Sequence, residues 1–105
     1  MGLDNFFSGR VEGNFRVCGG MFSGHGNESF RGKVYWCVVN CITEVDLYDP
    51  EISNEKLREM VKLLEQATPE RVRRADSTLS FDEFKELVRM FKAHAEAGHS
   101  IKSWY

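Results

Sequence analysis

Leu79-Ser80-Phe81-Asp82-Glu83-Phe84, running into Lys85-Glu86-Leu87-Val88-Arg89-Met90-Phe91, decides how this chain is read. Ser80 can accept an orphan backbone N–H at a helix start, and Glu83 three residues on makes the pair a capping box. Leu79 can staple against Phe84, and the acidic first turn suits the positive end of the helix dipole. Phe84, Leu87, Val88, Phe91 and Ala95 then recur at three and four, so the spacing predicts a helix from Phe81 to about Ala97. Gly98 stands where a left-handed residue ends it.

The same grammar occurs upstream. In Ile52-Ser53-Asn54-Glu55-Lys56-Leu57 the cap is Ser53, but Lys56 occupies the box position, so only half a box forms. Leu57, Met60, Val61 and Leu64 predict a helix from Asn54 to about Gln66. Thr68-Pro69-Glu70 opens a short turn of helix holding Arg71, Val72, Arg73 and Arg74, with proline at the first helical position. Earlier still, Phe30, Val34, Cys37, Val38, Cys41 and Ile42 share one helical face behind Ser29 as cap. Their β-branched content leaves a buried strand as the competing reading.

The first thirty residues hold seven of the nine glycines and read as turn and loop. Within them Val11, Phe15 and Val17 alternate with Glu12, Asn14 and Arg16, the period of a half-buried strand. The expected fold is therefore α+β and mainly helical: three main helices, a short N-terminal strand or hairpin, and a glycine-rich loop. At 105 residues the chain suits one domain, with a glycine-rich segment at 1–29 and a helical core at 30–105.

Composition narrows the function classes. The net charge is −2; residues 1–43 carry four basic and three acidic groups, residues 44–105 ten and thirteen. Neither part is a basic patch, so nucleic acid is not an expected partner. Val34 to Ile42 is far shorter than the ~20 apolar residues that cross a bilayer, so no membrane span is expected. With no secretory leader read at the start and Phe6 in place of the Ser or Thr of a myristoylation pattern, the expected location is cytoplasmic. Three cysteines are an odd and sparse set, which points to free thiols.

Most constellations with chemical potential fail on their own residues. Leu79 to Phe84 resembles the end of a calcium loop, but the first, third and fifth ligand positions fall on Val72, Arg74 and Asp76, with Ser77 at the glycine position. The stretch from Cys18 to Ser29 is a glycine-rich run into a helix start, where exposed N–H groups and Gly19, Gly20, Ser23, Gly24, His25 and Gly26, helped by Arg31 and Lys33, can hold an anion. It lacks the third glycine of a dinucleotide fingerprint and the spacing of a P-loop. Cys37 and Cys41 lie one helical turn apart, but the paired arrangement of structural zinc is missing, and buried packing is the expected role. No metal, other cofactor or catalytic residue is assigned. A cysteine paired with His25, His94 or His99 has no local support; the last two suit a helix C-terminus.

The opening Met1-Gly2-Leu3-Asp4, the middle Cys18 to Gly26 with Ser29-Phe30-Arg31-Gly32-Lys33-Val34, and the ending Ala95 to Ser100 with Trp104 resemble small phage and bacterial proteins to which no activity is assigned. The resemblance implies an accessory protein, in the host cytoplasm if phage-encoded, that modulates a host defence factor by protein contact. The expectation is a non-enzymatic binding module with a protein partner, host or self, a homodimer being one form. Phe22, Trp36, Arg71, Arg73, Arg74, Trp104 and Tyr105 are its candidate contact residues, of the types enriched at hot spots. The rivals are a small-ligand binder holding an anionic nucleotide-like molecule at the glycine-rich loop, and a small Cys- or His-dependent enzyme.

Overall fold

Ser53, Thr68 and Ser80 each begin a helix in the computed structural model, which describes residues 2–19 and 28–104. In each case the side-chain oxygen accepts the N–H three residues on, from Lys56, Arg71 and Glu83 respectively. The chain order is β1 (Asp4–Phe7), β2 (Ser29–Phe30), α1 (Gly32–Thr43), β3 (Glu51–Ile52), α2 (Asn54–Glu65), α3 (Pro69–Ala75), α4 (Phe81–Glu96) and β4 (Ile101–Trp104). Gly98 has φ +84°, the left-handed conformation a glycine adopts without a Cβ penalty, and its N–H bonds to the Ala95 carbonyl.

The strands form one antiparallel sheet in the order β2-β1-β4-β3. Phe7 pairs with Ile101 and Ile101 with Ile52, while Asn5 pairs with Phe30. Paired residues share a face, so Asn5, Phe7, Phe30, Ile52 and Ile101 all point to the same side, and all are buried. Phe91 of α4 meets the rings of Phe7 and Phe30 on that side, and Tyr35 of α1 meets Phe30. Leu57, Met60 and Leu64 of α2 and Phe84, Leu87 and Phe91 of α4 complete the core. The α+β class agrees with expectation. Among the described residues there are four helices, α1 and α2 of 12 residues, α4 of 16 and α3 of seven.

Three expectations need correction. Ser29 does not cap α1: it lies in β2, fully buried, with its Oγ unbonded. The helix starts at Gly32, behind Arg31, which offers no side-chain cap. Residues 11–17 are not a strand of the sheet, although Phe15 and Val17 are buried and their neighbours exposed as the alternation required. Side chains take backbone groups that a neighbouring strand would have taken: Arg16 N–H donates to Glu86, and Cys18 N–H to the Tyr35 hydroxyl. The N-terminal strand is instead Asp4–Phe7.

The face of α1 is the third correction. It buries Gly32, Tyr35, Val38, Val39, Ile42 and Thr43, whereas Cys37 and Cys41 are exposed and Val34 is half-buried. A helix apolar on nearly every side lets its periodicity be read on more than one face. Tyr35 settles the rotation, because only this face sends its hydroxyl to Cys18 N–H at 2.8 Å and Glu83 at 3.2 Å. Glu83 thus gives an oxygen to Tyr35 as well as its N–H to Ser80.

Candidate functional site

Trp104 is 58% exposed, the most open of the large apolar side chains described. On β4 it alternates with buried Ile101 and half-buried Ser103, so it points away from the face that carries the core. Asp4 lies opposite it on β1, and Lys102 lies between Phe6 and Glu51 in the next row. This outer face mixes one aromatic with charges of both signs. Toward β2 it closes over, since Ser29 is fully buried.

The loop 44–50 brings further aromatics to the same end of the sheet. Ser103 Oγ donates to the Asp49 carbonyl at 2.8 Å and lies 3.3 Å from that of Tyr48, tying the loop to β4 beside Trp104. Tyr48 is 40% exposed and meets the Trp36 ring edge-on, with centroids 6.5 Å apart. Asp46 anchors the pair: its Oδ1 accepts Trp36 Nε1–H at 2.9 Å and Tyr48 N–H at 2.9 Å. The loop is thus tied to α1 through Asp46 and to β4 through Ser103, and Tyr48 stands exposed on it. Sequence reasoning named Trp36 and Trp104 but missed Tyr48 and Asp46; the signal available was Asp46 two residues before Tyr48, the spacing at which Asp bonds the backbone.

The remaining predicted partner residues are scattered. Arg71, Arg73 and Arg74 are exposed on α3, and Arg71 Nη2 donates to the Cys41 carbonyl at 3.3 Å. Phe22 and Tyr105 lie outside the described residues. So do Gly20, Ser23, Gly24, His25 and Gly26 of the predicted anion loop. Of that set Gly19 is partly exposed, and Arg31 and Lys33 are exposed at the start of α1. Arg31 N–H donates to the Cys18 carbonyl and Lys33 N–H to that of Leu3.

An open groove of about 790 Å³ runs between residues 14–16 and α4. It is lined by Arg16, Lys85 and Arg89 against Asp82, Glu83 and Glu86, so its charges balance and it is not an anion cradle. Glu86 is the best-held carboxylate. Arg89 binds it through two nitrogens at 2.9 and 3.1 Å, and Arg16 N–H donates at 3.0 Å. The Arg89 bond first, and the Arg16 N–H second, hold this carboxyl down at about 2. Tyr35 moves the other way: burial, with the Glu83 carboxylate beside it, pushes its phenol above the usual range, and Cys18 N–H opposes this.

His94 and His99 do not stand side by side in solvent at the end of α4. His94 is fully buried, its ring stacked on Phe7 with centroids 3.6 Å apart, and its Nδ1 lies 2.8 Å from His99 Nδ1. That bond requires one ring to donate and the other to accept. Asn54 Nδ2 donates to the carbonyls of Ala95 and His99, closing the junction. Among the described residues no three His, Cys, Asp or Glu side chains gather as a metal-binding group. No helix there is long and apolar enough to cross a membrane.

No protein-family model, curated protein or solved structure matches the chain.

Proposed function

We propose that the chain is a non-enzymatic binding module that meets a protein partner through the aromatic edge built by Trp104, Tyr48 and Trp36. The observation that carries this reading is the exposure of Trp104 on the outer face of the sheet, next to a loop fixed by Asp46 and Ser103. A tryptophan held on a strand buries much area against a partner at low ordering cost, and tryptophan and tyrosine lead the residue types of binding hot spots. The phage-like resemblance adds a partner class, a host defence factor. A second copy of the chain is the other partner this reading admits.

The test pairs wild type with Trp104→Ala and Tyr48→Ala in affinity capture from the host, beside thermal melts. A partner held by wild type should be lost from Trp104→Ala, a hot-spot truncation costing about 2 kcal/mol or more of binding. In the melts the stability of Trp104→Ala should stay within about 0.5 kcal/mol of wild type, because the side chain is exposed. Equal capture by both variants removes the aromatic edge from the proposal.

One observation favours the small-anion alternative. The start of α1 has no side-chain cap and no acidic residue in its first turn, and it carries exposed Arg31 and Lys33. Native mass spectrometry of protein purified from cells decides it: a mass excess lost on mild denaturation supports a bound ligand, and a bare polypeptide mass supports the protein-binding reading.

A further inference from the structure

Cys37 and Cys41 stand on the solvent side of α1, and both are exposed. Other solvent-facing helical positions of the fold mostly carry charge, as in Lys56, Glu59 and Lys62 on α2 or Lys85, Arg89 and Lys92 on α4. A pair of thiols in such positions stands outside the buried core. Four residues apart on a helix, their Cβ atoms are about 5–6 Å from each other. An unstrained disulfide needs roughly 3.5–4.5 Å, so the pair resists closing on itself. Two thiolates joined through one metal ion stand farther apart than two sulfurs bonded directly, which matches the wider spacing.

The number of donors selects the ion. A structural zinc site takes four protein ligands, and no third His, Cys, Asp or Glu among the described residues joins these two. A soft monovalent cation such as copper(I) is satisfied by two thiolates in line, and thiolates favour it over harder metals. We propose that Cys37 and Cys41 form a two-thiolate site for a soft monovalent cation of the copper(I) class. On binding, two S–H bonds break, two metal–sulfur bonds form and two protons pass to solvent. The metal keeps its +1 charge, so the product carries one negative charge. Lys33, one turn before Cys37, and Arg71, held on the Cys41 carbonyl, bracket that charge; Glu44 follows one turn beyond Cys41. Cys18 is exposed as well but plays no part, because its backbone is held at the Tyr35 hydroxyl, on the buried face of α1, whereas Cys37 and Cys41 face solvent.

The full chain, kept reduced and free of oxygen, is titrated with copper(I) against the chromophoric chelator bicinchoninate. Wild type and Cys18→Ser should each take one copper(I) per chain. Cys37→Ser and Cys41→Ser should each bind about a hundredfold more weakly or worse, since either change turns a chelate into a single thiol. Their thermal melts should match wild type, which separates lost ligation from lost folding. Undiminished binding in either single variant, loss in Cys18→Ser, one copper(I) per two chains, or displacement by an equal amount of zinc overturns the proposal.

Discussion

Among the described glycines, Gly32 is the one where an added carbon meets the closest atom. A Cβ there would lie 1.8 Å from Asn5 Oδ1 and 2.9 Å from the Leu3 side chain, both fully buried. Asn5 cannot move aside freely, because its Nδ2 donates to the Leu47 carbonyl across 42 residues of sequence at 2.8 Å. Gly32→Ala should therefore destabilise the fold by about 1–3 kcal/mol or more through overpacking, read from the urea midpoint, despite alanine being the better helix former. Glu86 makes a second prediction at this scale. Its folded value, about 2 against an ordinary 4.5, means that its contribution to stability is complete above about pH 4.5. The contribution fades as pH falls from there toward 2, where folded and unfolded chains both take up the proton. Glu86→Gln should thus be less stable than wild type at pH 7, with the difference closing across that acid range in denaturant titrations. The pair is partly exposed, so added salt should also reduce the difference.

At the scale of the element, serine means two different things in this chain. Ser80 accepts Glu83 N–H at 3.1 Å and caps a 16-residue helix. Ser29, read from sequence as a cap of the same kind, sits in a strand with a buried hydroxyl that bonds nothing. Ser80→Ala should cost about 0.5–2 kcal/mol, whereas Ser29→Ala should be near neutral or stabilising, since it removes an unsatisfied polar atom. Matched chemical denaturation of the two variants checks the ordering. Helices α2 and α4 could be read because cap, first-turn charge and apolar period agree at each start, and α3 because Thr68 as cap is followed by Pro69 and Glu70. Helix α1 has its period without a cap, and its start and its face were both misread.

The whole molecule depends on β1 and β4 meeting. Strand β4, residues 101–104, stands between β1, residues 4–7, and β3, and places fully buried Ile101 between Phe7 and Ile52. Removing the chain from Ile101 onward would expose Phe7 and Ile52 and leave β1 with only two-residue β2. We expect the cooperative thermal transition to be lost or to fall sharply, since several kcal/mol is a large part of a small domain's stability. Fraying confined to the new C-terminus, with the transition otherwise intact, would show that the helices hold the core alone. The aromatic edge shares this dependence: Trp104 is carried by β4, and Ser103 bonds the loop that carries Tyr48. Trp104 and Tyr48 lie more than 50 residues apart in sequence, and the Ser103 bond to the Asp49 carbonyl brings their segments together only when the sheet closes.

By itself the sequence determined the local events. Caps at Ser53, Thr68 and Ser80, the apolar stripes of α2 and α4, and the left-handed Gly98 follow from residues within a few positions of each other, and neighbouring backbone groups enforce them. It also supplied the exposed aromatic residues as types suited to binding. What only the tertiary structure decided is everything that needs a distant partner. Strands of two to four residues carry too short an alternation to be recognised alone, and residues 11–17 alternate without joining the sheet, the Arg16 N–H going to Glu86 and that of the adjoining Cys18 to Tyr35. The same Tyr35 hydroxyl, drawn to Cys18 and Glu83, fixes how α1 is turned and so leaves Cys37 and Cys41 in water. A helix can show which residues share a face, but the core it meets chooses which face is buried.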